Sequence, residues 1–93
     1  MSEQEVNIKL DDQTAKGNYA NNLLVSHTKD EFVVDFISLF PPQALVVTRV
    51  FTTPGHMKRI SNALIENIKN YEQHFGKIDE SNLPDQKIGF RNK

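Results

Sequence analysis

TPGHMKRISNALIENIKNYEQHFG, residues 53–76, has the pattern of one long amphipathic helix. Thr53 suits the N-cap, and Pro54 suits the first helical position, where its missing N–H costs nothing. Gly76 predicts the C-terminal end of the helix. Apolar residues recur at spacings of three and four, which places them on one stripe of the helix. The stripe consists of Met57, Ile60, Leu64, Ile68, Tyr71 and Phe75. We expect it to face the core; docking against a partner subunit is an alternative compatible with that role.

Four strands are predicted before the helix, from alternating or densely apolar runs bounded by turn residues. They are residues 6–10, 19–27, 31–39 and 44–52, with a loop at 11–17. Short connections between the last three strands favour an antiparallel meander, because parallel strands need long crossovers. The predicted fold is therefore α+β, a single ββββα domain over residues 1–78. Residues 79–93 are polar and predict a flexible tail.

The third and fourth predicted strands can be aligned across the turn at Pro41 and Pro42. In that alignment Val33 faces Phe51, Asp35 faces Arg49, Ile37 faces Val47 and Leu39 faces Leu45. Opposite charges directly across two strands attract. We therefore interpret Asp35 and Arg49 as a structural ion pair, with a binding role as the alternative.

Both faces of these two strands are apolar, whereas an antiparallel sheet with one wet face normally alternates apolar and polar residues. One face would carry Phe32, Val34, Phe36, Val46 and Val50. The other would carry Val33, Ile37, Leu39, Leu45, Val47 and Phe51 around the ion pair. One helix covers one face only, and the sequence does not say which. The second set is the candidate oligomer or partner surface, and a homodimer or homotetramer is expected.

The composition excludes several classes of function. The formal net charge is −1, so no bulk attraction to nucleic acid or acidic membranes is expected. Cysteine is absent, no apolar run is long enough for a membrane span, and the acidic N-terminus is unlike a secretory signal. These features predict a soluble, cytoplasmic protein.

No catalytic constellation, metal signature or phosphate loop is found, so we expect neither an enzyme nor a cofactor. His27, His56 and His74 are not at ligand spacing. The turn leading into the helix at Thr53 could hold an anion, although most such ends are simply capped.

Three segments together, YANNLLVSHTKDEFVVDF, VVTRVFTTPGHMKRI and ALIENIKNYEQHFGKI, resemble DUF3467, a family of small prokaryotic proteins of unknown function. The resemblance spans residues 6–78 and implies no active site. More loosely, the ββββα order, the TPGHMKR helix entry and the NYEQHFG exit resemble the export chaperone SecB. That likeness implies a dimer of dimers that holds unfolded chains on apolar surface, although a second helix is lacking here. The strand and helix order alone is similar to that of PUR and Whirly nucleic-acid-binding modules.

The sequence therefore predicts a non-enzymatic, oligomeric protein-binding module, with chaperone-like activity as one form of that role. A single-stranded nucleic-acid binder is the alternative, which would rely on Arg49, Lys58, Arg59 and basic residues of the tail. A scaffold component without a ligand is a third possibility.

Overall fold

A computed structural model describes residues 4–80 as a three-stranded antiparallel sheet and one long helix, preceded by a single helical turn. The elements are α1 (Asp12–Lys16), β1 (Asn22–His27), β2 (Phe32–Phe40), β3 (Gln43–Thr52) and α2 (Pro54–Phe75). The strand order is β1-β2-β3, so the predicted meander is present with three strands instead of four. The α+β class is confirmed. The predicted tail, residues 79–93, lies mostly outside the described residues.

The predicted first strand, residues 6–10, is wrong. Val6, Ile8 and Leu10 are exposed and belong to no helix or strand, and the segment pairs with no strand of the described chain. The expected loop at 11–17 contains α1, because Asp11 caps it by accepting a hydrogen bond from Thr14 N at 3.1 Å. Gly17 ends α1 at φ 72°, a left-handed conformation that favours glycine. Alternation thus indicated a strand, but a strand also needs an available edge to pair with.

β1 begins three residues later than predicted because Asn21 caps the ladder with its side chain. Its amide donates to the Leu39 carbonyl at 3.0 Å and accepts from the Leu39 N–H at 2.8 Å. Its own N–H bonds the Ile37 carbonyl at 3.0 Å. The Asn21 side chain therefore makes the two hydrogen bonds to Leu39 that the backbone of a neighbouring strand would otherwise make.

The predicted alignment of β2 and β3 is present at Val33–Phe51 and Asp35–Arg49 but is wrong nearer the turn. A bulge lies between the Phe36–Thr48 and Ile37–Val46 pairs, so Val47 has no partner of its own. Ile37 and Leu39 consequently face Val46 and Ala44, not Val47 and Leu45. Since one extra residue reverses side-chain alternation, Leu45 moves to the opposite face and Val46 joins the face of Asp35.

The predicted bounds of the long helix are confirmed. Thr53 accepts from His56 N at 3.2 Å, Pro54 occupies the first turn, and Gly76 ends the helix at φ 91°. The expectation that the whole stripe faces a core is wrong for this protomer. No residue of α2 is buried, and along the stripe only Met57 and Ile60 are half-buried. Within residues 4–80, no helix combines the length and apolarity that crossing a membrane requires.

Candidate protein-binding surface

The C-terminal half of α2 presents uncovered apolar side chains. We define the distal stripe as Leu64, Ile68, Tyr71 and Phe75, with Ile65 on its flank. Their exposed fractions range from 48 % for Ile68 to 76 % for Phe75. The Tyr71 and Phe75 rings contact each other, with centroids 5.0 Å apart. A helix that carries such a stripe normally buries it, so the distal stripe is a candidate contact surface.

The sheet has two apolar faces, as predicted, but the bulge changes their membership. Residues directly opposite in the ladders lie on the same face. The Asp35 face carries Leu24, Val33, Ile37, Leu39, Val46 and Phe51 with the ion pair, and the Phe36 face carries Leu23, Val25, Phe32, Val34, Leu45 and Val50. Of the predicted surface residues, Val33, Ile37, Leu39 and Phe51 share a face, whereas Leu45 is on the other one. Ile37 is only 2 % exposed and therefore offers no area to a partner, while Phe51 is exposed.

Residues 18–20 cross part of the Phe36 face. Asn18 Nδ2 donates to Thr48 Oγ1 at 2.9 Å, and Asn21 then ties the same segment to the end of β2. Between the segment and the sheet lies a shallow, open depression lined by Asn18, Ala20, Phe36, Val47 and Thr48. The segment leaves Phe36 and Leu45 exposed, so it covers this face only in part.

Asp35 and Arg49 form a two-pronged ion pair on the other face. Arg49 Nε donates to Asp35 Oδ1 at 2.7 Å, and Arg49 Nη2 donates to Asp35 Oδ2 at 3.0 Å. The hydrogen bond from Arg49 is the main cause that lowers the pKa of Asp35, and the positive charge of Arg49 adds to it against the opposing effect of burial. The same pairing raises the pKa of Arg49. The carboxylate is therefore held ionised with both oxygens satisfied, a state suited to structure and not to proton transfer.

The histidines are engaged in separate local contacts. His27 lies against the Phe32 ring at 5.3 Å, and His74 Nδ1 is 2.9 Å from the Asn70 carbonyl oxygen. His56 lies in the first turn of α2, where its backbone N–H donates to Thr53 Oγ1. Within the part of the chain that the structure describes, no three histidine or acidic side chains gather where they could hold a metal ion.

Sequence reasoning missed two features of this surface. Nothing in the composition of β3 marks Val47 as the bulged residue. Asn18 and Asn21 are typical loop residues, and their bonds to Thr48 and Leu39 depend on the path of the chain in three dimensions. The available signal for the cap was Asn21 near the start of the predicted strand 19–27, because asparagine is uncommon within strands and its side chain can mimic a backbone pair.

Comparison with known proteins supports only the family. No curated protein and no solved structure matches this chain. The resemblance to SecB therefore remains a sequence-based prediction. A model of the family described as a protein of unknown function, DUF3467, matches residues 1–80, and this chain belongs to that family.

Proposed function

We propose that this chain is the subunit of a cytoplasmic, non-enzymatic homo-oligomer that binds protein through apolar sheet and helix surface. One observation carries the proposal. Among the described residues, Ile37 is the only buried apolar side chain, and Asp35 is the only buried polar one. A domain of this size normally buries well over half of the surface its unfolded chain exposes.

A protomer with so small a core has little to offset the conformational entropy lost on folding. The exposed apolar side chains must therefore be buried against another protein surface. A second copy of this chain is always available, at the concentration of the protein itself. Large apolar side chains exposed on both the sheet and α2, such as Phe51 and Leu64, provide that surface. Folding and self-association are then coupled, as in obligate oligomers.

The apolar sheet faces that self-association leaves exposed fit a protein ligand better than a nucleic acid. The sheet faces are apolar, and the formal net charge is −1. Arg49 is the one lysine or arginine within the three strands, and its guanidinium is already engaged with Asp35. A single-stranded nucleic-acid binder needs a positively charged groove interleaved with aromatic residues. An apolar strand of an unfolded chain needs only the kind of surface that the sheet presents.

The test is binding of a fluorescent, permanently unfolded protein to the chain of residues 1–93, followed by anisotropy over a salt series. We expect saturable binding that high salt does not weaken, since apolar contacts are not screened. A labelled oligonucleotide serves as the matched probe, and no binding is expected at low ionic strength. Failure to bind the unfolded chain at micromolar oligomer would reject the protein-binding role. Oligonucleotide binding that weakens steeply with salt would favour the alternative.

A further inference from the structure

We propose that the distal stripe of α2 binds the distal stripe of a second copy, with the two helices antiparallel and a two-fold axis between Ile68 and Tyr71. This inference rests on the proposed homo-oligomer and assigns its self-association surface. The sheet faces are thereby left for a protein ligand.

The spacing of the distal stripe is self-complementary. Leu64, Ile68, Tyr71 and Phe75 are separated by four, three and four residues, a series that reads the same in both directions. In an antiparallel pair Leu64 therefore meets Phe75 of the second copy, and Ile68 meets Tyr71. A two-fold interface requires this reciprocity, because each residue must contact a partner that contacts it in return. A parallel pairing would instead stack each side chain on its own copy.

Charges beside the stripe match the same alignment. Lys69 and Glu72 lie on one flank of α2, the flank that also carries Ile65, at positions that bracket the proposed axis. In the antiparallel arrangement Lys69 of each copy lies within one helical turn of Glu72 of the other on the same flank, where the long side chains can form opposite-charge pairs at the rim. Glu72 accepts a hydrogen bond from Ile78 N at 2.9 Å, which fixes its carboxylate near this flank. The other flank carries the neutral pair Asn67 and Asn70.

The available area fits a specific but modest contact. Given exposed fractions of 48 % to 76 % for the distal stripe and its flank, each copy offers on the order of 500 Å² of apolar side chain. Stable interfaces bury about 800 Å² per partner, and about 500 Å² per partner is the lower limit for a specific one. The helix pair therefore predicts association that depends on protein concentration in the micromolar range.

Cysteine cross-linking tests the alignment, and the native chain has no cysteine to interfere. The single variants L64C and F75C would be mixed, oxidised and separated by mass. Facing residues of packed helices bring their Cα atoms within disulfide range, whereas residues eleven positions apart are about 16 Å apart along the axis. The proposal predicts that disulfide dimers are mainly the mixed species, with little L64C–L64C or F75C–F75C product.

A second variant places both cysteines in one chain. L64C/F75C in one chain is predicted to form a doubly linked dimer, since both links are made by the same two-fold axis. Dimers of like variants, or absence of cross-links while the unmodified chain still has an oligomeric mass, would overturn the antiparallel helix pair. The proposed function would survive that result. A strictly monomeric unmodified chain would overturn both.

Discussion

Arg49 is bonded through Nε and Nη2 to both carboxylate oxygens of Asp35 on the neighbouring strand, yet the two side chains differ sharply in exposure. The Asp35 side chain is 1 % exposed, and that of Arg49 is 48 % exposed. Water can therefore hydrate the guanidinium if the pair is broken, but it cannot readily reach the carboxylate. Loss of the ion pair should therefore cost the buried Asp35 carboxylate more free energy than it costs the half-exposed Arg49 guanidinium.

This asymmetry predicts that Arg49→Ala destabilises the fold more than Asp35→Asn does. The first variant leaves an ionised carboxylate buried without its partner, whereas the second leaves a neutral amide beside a half-hydrated guanidinium. Urea unfolding at neutral pH, followed by circular dichroism, measures both free energies. The double variant D35N/R49A is the control and should be more stable than R49A alone. Equal losses for the two single variants would show that Asp35 is hydrated in solution.

The lowered pKa of Asp35 predicts acid sensitivity with a definite sign. Because the folded-state pKa lies below the ordinary value of 3.8, the pair stabilises the folded state fully above that pH and loses its contribution as the pH falls through the folded-state pKa. The difference in unfolding free energy between the native chain and Asp35→Asn should thus be constant near neutrality and shrink below about pH 4. A difference that stays constant down to the most acidic pH at which both fold would contradict the pairing.

Asn21→Ala tests the cap that ends the sheet. The substitution removes two hydrogen bonds to the Leu39 backbone and leaves that N–H and C=O unpaired in a partly buried place. We expect a loss of about 1–3 kcal/mol in unfolding free energy. Asn22→Ala is the matched control, because its side chain accepts only a 3.3 Å bond from the adjacent Leu23 N–H. Similar losses in both variants would mean that the Asn21 bonds do not persist in solution.

A charge in the distal stripe should break self-association. Ile68→Glu places a carboxylate in the centre of the proposed helix pair, where it would be desolvated without a partner. We expect the mass of the particle to fall toward that of one chain. Asn62→Glu adds the same charge to the exposed opposite face of α2 and should leave the mass unchanged. If Ile68→Glu associates as the native chain does, the distal stripe is not the interface.

The elements that were predictable from sequence are those whose signals are local. Thr53, Pro54 and Gly76 fix both ends of α2 through capping chemistry, and these signals act within a few residues. The runs that became β2 and β3 are long and rich in β-branched side chains, so their existence was equally clear.

The features that were not predictable depend on contacts between distant segments. Residues 6–10 have a strand pattern, but they join no sheet among residues 4–80, and pairing requires a strand edge that the sequence pattern alone does not reveal. The Val47 bulge absorbs a one-residue mismatch between the tight turn at Pro41 and the Asp35–Arg49 alignment. That mismatch is visible only once both ends of the ladder are known. It moved Leu45 off the predicted surface.

The proposed role of the surface follows from composition and not from a motif. Apolar residues on both sheet faces predicted a need for a partner, and the exposure of α2 extends that need to the helix. The spacing of the distal stripe fits a second copy, but no spacing of residues on the sheet indicates which protein binds there, because an apolar surface records its chemistry and not the identity of what it binds.

The most direct test of this account is the molar mass of the unmodified chain, measured by sedimentation equilibrium across a micromolar concentration series. The incomplete protomer predicts a folded particle whose mass is two or more times 10.6 kDa and which loses secondary structure as dilution dissociates it. A particle of 10.6 kDa that remains cooperatively folded at every concentration would contradict it.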